Sequence, residues 1–313
     1  MGSISLQEIE GQSASGAVAL GAGEVVAEGV RARVSAYVEL TKPRITTLVM
    51  LTTAAGFFLG SPGALSFLRF ADTMIGVGLL CSGVSTLNEW MERDLDALMR
   101  RTMTRPLPAG RLAPRSAFLF GLALTVGGEA YLALLVNPLS ALCGLSVVVG
   151  YLLLYTPLKT RTSLSTAVGA FPGAVPPLLG WAAASNSVGL EAWVLFAILF
   201  LWQFPHFFAI AWMYREDYAR AGIKMLPVVE PEGRLTGQQI ILWTLMLVPV
   251  SLAPAALGIG GAVYFFGALV LGGLFLCTSA QAALTLSRRN ARRVLLASVL
   301  YLPSLFGLMV TKW

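Results

Sequence analysis

The residues Asn88-Glu89-Trp90-Met91-Glu92-Arg93-Asp94-Leu95-Asp96 carry the most chemically suggestive spacing in the chain. On a helix, Asn88, Glu92 and Asp96 fall at i, i+4 and i+8, which stacks them on one face with a drift of about 40° per step. Three hard oxygen ligands on one face suit Mg²⁺, which keeps several waters and is usually held by one or two carboxylates together with substrate phosphate oxygens. A diphosphate ester is the natural partner of such a set. A solvated helix end would use the same residues differently, pairing Glu89 with Arg93 and Asp96 with Arg100 for about a few tenths of a kcal/mol each. The following residues favour the metal reading. Arg100, Arg101, Arg105 and Arg111 lie in a loop containing Arg105-Pro106-Leu107-Pro108-Ala109-Gly110, where guanidinium forks would stand beside the metal. Anchoring at a membrane surface is the competing use of those arginines.

A second polar cluster, residues 214–227, again combines carboxylates and bases. There Asp217 is a candidate ligand for a second Mg²⁺, and Arg220 or Lys224 for holding a leaving diphosphate; a solvated juxtamembrane cluster would look the same. The only histidine, His206, follows Pro205 in the middle of an apolar run, and an ionisable residue inside a membrane span is a functional candidate by default. The structural alternative is a neutral imidazole bonded to a backbone acceptor freed by the proline, a task Gln203 would serve equally. Tyr155-Thr156-Pro157-Leu158-Lys159-Thr160-Arg161 sets two cations beside a tyrosine, for a ligand or for anchoring. Residues 169–177 load one run with Gly and Pro, which suits a cavity wall or tight helix packing.

These residues must be positioned by membrane helices. Of 313 residues, 56% are apolar and 12% charged, against roughly 45–50% and about 25% in a soluble domain. Runs long enough to span a bilayer fall at about 45–60, 73–91, 116–136, 139–156, 164–184, 192–213, 239–258, 261–286 and 294–311, which predicts an all-α bundle of about nine transmembrane helices and leaves no room for a soluble domain. Cys81, Cys143 and Cys277 each lie in an apolar run without metal spacing, so they are packing residues and no disulfide is expected. No Lys or Arg precedes Arg31, and with no long apolar stretch there a cleaved signal peptide is not expected. Residues 1–40 read as a mobile cytoplasmic tail and 41–313 as the membrane domain.

Of 22 Lys and Arg residues, 20 fall before the first span or in the loops after the second, fourth, sixth and eighth, and only Arg69 and Lys312 fall opposite. The positive-inside rule then puts the N-terminus and those loops in the cytoplasm and Trp313 outside. The net charge of +6 is explained by this topology, so the lipid bilayer, and not nucleic acid, is the expected partner.

Together, residues 40–44, 88–96 with 101–107, 155–161 with 169–181, and 202–227 resemble the intramembrane prenyltransferase superfamily, and within it the branch that farnesylates haem. The likeness spans residues 40 to about 311. It implies helices around a central cavity open toward the cytoplasmic side of the inner membrane and Mg²⁺-assisted loss of diphosphate from farnesyl diphosphate. It also implies attachment of the farnesyl chain to a vinyl group of haem B, with addition of water, for haem-copper oxidase biogenesis. Haem B is then a substrate and Mg²⁺ the cofactor, with a downstream haem-modifying enzyme as a further partner. Residue by residue, Asn88, Glu92 and Asp96 match the first metal-diphosphate motif, and Asp217 matches part of the second. Arg101, Arg105, Lys159, Arg161 and Lys224 match cationic diphosphate contacts. Lys42, Arg44, Arg93, Tyr155, Trp202 and Arg215 complete the candidate substrate-binding set. His206 takes a haem-related role: iron ligand, propionate contact or proton acceptor. Trp90, Trp202, Phe204 and Phe207 are aromatic candidates for steadying an allylic cation. Glu at 92 and tyrosines at 214 and 218 depart from the aspartate-rich motifs of the wider superfamily and argue against a full second Mg²⁺ site. The competing functions are prenyl transfer to a quinone precursor or another tetrapyrrole, and secondary transport, which has no evident need of such a ladder beside arginine-rich loops.

Overall fold

The computed structural model describes residues 22–61 and 63–311; the tail expected over residues 1–21 and the expected placement of Lys312 and Trp313 lie outside them. The elements are α1 (Ala22–Leu40), α2 (Pro43–Gly60), α3 (Phe67–Asp96), α4 (Pro114–Tyr131), α5 (Pro138–Val148), the short α6 (Thr156–Leu158), α7 (Ser165–Ser185), α8 (Leu190–Met213), α9 (Arg215–Arg220), α10 (Leu226–Val229), α11 (Arg234–Ala256), α12 (Ala262–Leu284) and α13 (Arg288–Val310). Two π-helical segments, Leu132–Val136 and Val149–Tyr155, continue α4 and join α5 to α6. No strand occurs among the described residues.

Among the described residues, eight helical segments are long and apolar enough to cross a membrane. These are α3, α4 with its π extension, α5 through α6, α7, α8, α11, α12 and α13. The expected first span, α2, is not among them: its 18 residues include Pro43, Arg44 and four threonines. It nevertheless lies along α7 within the bundle. Gly56 of α2 abuts the Pro177 backbone and Gly180 of α7 abuts the Thr53 carbonyl, so a Cβ at either would strike main chain. Small residues let membrane helices approach this closely, and van der Waals contact then replaces the hydrophobic drive that lipid cannot supply.

Local signals set the helix starts. Proline occupies the first turn of α2, α4 and α5, where its missing N–H costs nothing. Ser66, Asn137 and Ser287 cap α3, α5 and α13 by accepting from the amides of Arg69, Ser140 and Asn290. The presumed tail needs correction from Ala22 onward: residues 22–40 are helical, and Ala36 and Leu40 are buried against Leu107, Leu112 and Ala117. Arg111 pairs with Glu39 at 2.6 Å. The end of α1 therefore clamps the loop that follows α3.

Candidate active site

The last turns of α3 bury Asn88, Glu89, Glu92 and Asp96, and cations from three other segments meet them. Lys42, in the turn between α1 and α2, donates to Asn88 Oδ1 at 3.0 Å and stands 3.8 Å from Glu89. Lys159, just after α6, donates to Glu92 Oε1 at 2.5 Å. Arg105, in the loop after α3, donates to Asp96 Oδ2 at 2.7 Å, and its Nε lies 3.7 Å from Glu89. The Asn88 amide donates to Thr156 Oγ1 at 3.2 Å, and that hydroxyl donates to the Tyr151 carbonyl across the π segment. The local pairs of Glu89 with Arg93 and Asp96 with Arg100, which a solvated helix end would make, are absent among the described residues; Arg93 instead turns to Asp94 and the Trp90 carbonyl.

Lys42 holds its place with a left-handed backbone, φ 48° and ψ 61°. That conformation costs an L-residue about 1–2 kcal/mol and is unusual directly before a proline. Burial pushes its ammonium down to about 8; Glu89 opposes this and Arg105 adds to it. Burial also works against the charge on Lys159, but Tyr155 and Glu92 outweigh it and hold the group above the usual lysine range. Arg105 is likewise raised: burial is overcome by Asp96 and Glu89. Three carboxylates and three cations thus balance in a largely buried cluster, in which Glu89 Oε2 has no hydrogen-bond partner.

Among the described residues no group of three His, Cys, Asp or Glu side chains is placed to hold a metal. The ladder supplies two carboxylates and the Asn88 amide oxygen, a hard donor set that fits Mg²⁺ when phosphate oxygens and water complete the shell. The unmet acceptor of Glu89 adds to that fit. Asp217 is not part of such a group: its Oδ1 accepts from Arg220 at 2.8 Å and from the Arg100 amide at 3.3 Å.

The remaining candidates divide. Arg101 lies over the rings of Tyr214 and Tyr218, at 5.0 and 5.7 Å, and donates to the Tyr218 hydroxyl. The two tyrosines that depart from the aspartate-rich pattern therefore serve as a platform for an arginine. Tyr155 stacks under Lys159 at 4.5 Å, in the space that Gly169 leaves open. Lys224 joins the Lys159 segment through its amide, 2.8 Å from the Lys159 carbonyl, while its side chain is exposed. Arg44 and Arg161 are exposed and contact no ladder residue among those described. Arg215 turns away onto Trp212, 4.5 Å from that ring, beside Ser287 and Arg288.

Beside the ladder a chamber of about 320 Å³ is bounded by Lys42, Tyr151, Tyr155 and Met225. It adjoins a cavity of about 1020 Å³ lined mostly by α2, α8 and α13, with Trp202, His206 and Phe207 on its wall. Ile45, Val49, Gly173, Pro176, Gln203 and Phe207 line both. Of the aromatic candidates, Trp202 and Phe207 face this space; Phe204 is stacked on Trp243 in the core at 3.7 Å, and Trp90 packs on Phe118. His206 Nδ1 lies 2.8 Å from Ser298 Oγ, so its partner is a side chain and not a carbonyl freed by Pro205. Gln203 bonds the carbonyls of Ala170 and Leu199. Sequence reading missed Thr156 and Ser298; both lie far along the chain from their partners, and no local pattern marks them.

A helical membrane bundle that buries an Asn/Glu/Asp ladder among lysines and arginines, next to an apolar cavity, is the architecture of an intramembrane prenyltransferase. The model of the UbiA prenyltransferase family matches residues 49–305, and the chain belongs to that family. It is 53% identical over 283 residues to a protein of Solibacter usitatus named protoheme IX farnesyltransferase, covering 88% of this chain and 97% of that one. A protein of the same name from Koribacter versatilis is 45% identical, with 90% and 94% covered. A solved structure of digeranylgeranylglyceryl phosphate synthase shares the fold at a TM-score of 0.76 and 16% identity, over 90% of this chain and 98% of that one. A UbiA homologue from Archaeoglobus fulgidus, solved with GPP and Mg²⁺, aligns at 0.61 and 18%, over 88% and 99%.

Proposed function

We propose that the protein transfers the farnesyl group of farnesyl diphosphate to a vinyl group of haem B, with addition of water, releasing diphosphate. One observation carries the reading: a buried ladder whose acidic and amide oxygens are met by Lys42, Lys159 and Arg105 adjoins an apolar cavity with a single histidine on its wall. The names of the relatives from Solibacter and Koribacter support the choice of donor and acceptor.

In the structure the cations are spent on carboxylates. A diphosphate entering the small chamber would compete for Lys42, Lys159 and Arg105, and the carboxylates so released, Glu92 and Asp96 with Asn88, would hold Mg²⁺. The ion supplies Lewis-acid neutralisation of the leaving diphosphate. The chain's own ammonium and guanidinium groups share the charge that grows as the C–O bond breaks, and their burial strengthens that stabilisation. Arg101 on its tyrosine platform, with the exposed Lys224 and Arg161, would supply further positive charge to an entering diphosphate. Asp217 steadies the loop that carries Arg101 and Arg105 by accepting from the Arg100 amide.

The allylic carbon lies toward the apolar cavity, where no carboxylate competes for the cation. The vinyl carbon bonds to farnesyl C1, the positive charge moves to the porphyrin side chain, and one water adds there and loses a proton. Trp202 and Phe207 on the wall keep bulk water from capturing the first cation. We place the ladder end and the N-terminus on the cytoplasmic side of the inner membrane and the C-terminus opposite, in keeping with the distribution of Lys and Arg. A downstream haem-modifying enzyme is the expected recipient of the product.

The test is to incubate purified protein in detergent with haem B, farnesyl diphosphate and Mg²⁺ and to look by mass spectrometry for haem carrying farnesyl plus hydroxyl, with Asp96→Asn as control. Product that depends on both metal and Asp96 supports the assignment. Diphosphate release without farnesylated haem would keep the donor and overturn the acceptor, to be followed with a quinone precursor, and neither signal from folded protein would favour transport.

A further inference from the structure

His206 and Trp202 sit one turn apart on α8, their rings stacked at 4.6 Å and 23°, and both are tied to one residue of α13. Trp202 Nε1 donates to the Ser298 carbonyl at 2.8 Å, and His206 Nδ1 lies 2.8 Å from Ser298 Oγ. Ser298 Oγ is fully buried, and it donates to the Leu295 carbonyl at 2.7 Å. A hydroxyl has one hydrogen. With that hydrogen committed to Leu295, Ser298 can only accept from the imidazole, so the proton of the ring is on Nδ1. The neighbours of the ring are Trp202, Phe207 and Ser298, none of them charged, and a neutral imidazole protonated at Nδ1 keeps a lone pair at Nε2. That atom has no partner among the described residues, and its ring lines the cavity of about 1020 Å³.

We propose that Ser298 is a positioning residue that fixes His206 in the Nδ1–H tautomer so that Nε2 coordinates the iron of the haem acceptor. The inference rests on the haem reading above. It decides among the roles open to His206, because a lone pair at Nε2 repels a propionate and suits a metal. A ligating histidine almost always donates its other N–H to a fixed acceptor, which sets the tautomer and the ring plane. Ser298 is that acceptor, and Trp202, held by the same residue, keeps the imidazole from turning. Coordination through the lone pair releases no proton and leaves the iron oxidation state unchanged. It would hold the porphyrin by its centre while a vinyl edge is presented to the allylic carbon.

The experiment titrates the intact protein in detergent with haem B and with metal-free protoporphyrin IX, following the haem absorption spectrum and affinity in wild type, His206→Ala, Ser298→Ala and Ser298→Thr. Ligation predicts a nitrogen-ligated haem spectrum in wild type that is lost in His206→Ala. It also predicts haem binding about 10-fold weaker in Ser298→Ala, with near-wild-type behaviour restored by Ser298→Thr, which keeps a hydroxyl. Metal-free protoporphyrin, which offers no iron, should bind all four within about twofold. An unchanged haem spectrum in His206→Ala overturns the proposal, as does wild type that binds haem and the metal-free ring alike. If His206→Ala does not fold, the contrast between Ser298→Ala and Ser298→Thr decides: equal loss in both returns Ser298 to packing. Farnesylation assayed in parallel separates the two claims, since product formed by wild type without nitrogen-ligated iron defeats the ligation alone, and ligated haem never farnesylated defeats the function alone.

Discussion

The small chamber at the ladder and the larger apolar cavity share six lining residues yet solve opposite problems. At the ladder, the polar groups come from helix ends and loops, and Lys42, Lys159 and Arg105 each reach an acidic or amide oxygen of α3. On the cavity wall polar groups are few, and two of them, Trp202 and His206, are tied to the buried Ser298 across two helices without a formal charge. Under the proposed function the difference separates the two ions of one bond cleavage: the anion would be matched where charges are dense, and the cation released where no carboxylate lines the wall.

If that division holds, the two ends should fail differently. Glu92→Gln removes the carboxylate from a buried pair and leaves Lys159 charged, an uncompensated cost of about 3 kcal/mol. We expect turnover to fall by about 10²–10³-fold, with diphosphate release and haem product lost together and Tm lowered. Full diphosphate release from this variant would show that the ladder is not where the C–O bond breaks. His206→Ala should instead lose product alone, by about 10-fold or more, while equilibrium binding of farnesyl diphosphate stays measurable and near that of wild type. Equal loss of donor binding would merge the two ends into one.

Some of this division is legible in the sequence and some is not. Nearly all the apolar runs become helices, because mean hydropathy registers membrane burial directly. The same signal misjudges the ends: α13 begins at Arg288 and α3 runs on to Asp96, since polar turns continue a helix after the apolar run stops. It also passes over α1, which lacks a long apolar stretch and whose last turns dock through Ala36 and Leu40. The ladder is legible because its spacing lies within one helix. Its counter-charges are legible only as a class, cations beside the ladder; the pairings are not, since Arg105 must fold back over nine positions to reach Asp96 and Lys159 must cross from another segment to reach Glu92. The Ser298 contact with His206 bridges 92 positions. Arg93 and Arg215 both stand beside motif residues in the chain, and each lies on the neighbouring tryptophan of its own segment.

Lys42 tests whether the ladder end is held by charge or by backbone. Lys42→Ala and Lys42→Gly both remove the ammonium, and each should raise the KM for farnesyl diphosphate by about 10-fold, the value of one charge-assisted hydrogen bond. Glycine takes the left-handed turn without the Cβ cost that alanine bears, so Lys42→Gly should be more stable than Lys42→Ala by about 1 kcal/mol in denaturant titration. Equal stability would mean that the turn relaxes when the ammonium is gone, and that the contacts to Asn88 and Glu89, rather than Pro43 and the chain on either side, impose the strain.

The smallest change sharpens the comparison most, because it falls on the wall both spaces share. A Cβ on Gly173 would press on Gln203 Oε1. The Gln203 amide holds the carbonyls of Ala170 and Leu199 at 2.9 and 3.2 Å, and its side chain has room to yield where a backbone contact would not. Gly173→Ala should therefore leave the fold intact, narrow the passage by a methyl group and cost about one hydrogen bond, ~1 kcal/mol. Neither the ladder nor His206 is touched. What should change is the coupling between them, read as haem product formed per diphosphate released, lowered by up to about 5-fold as water captures the allylic cation. An unchanged ratio at unchanged turnover would mean that the farnesyl chain does not pass Gly173, and that the two spaces, although they share a wall, are not two ends of one path.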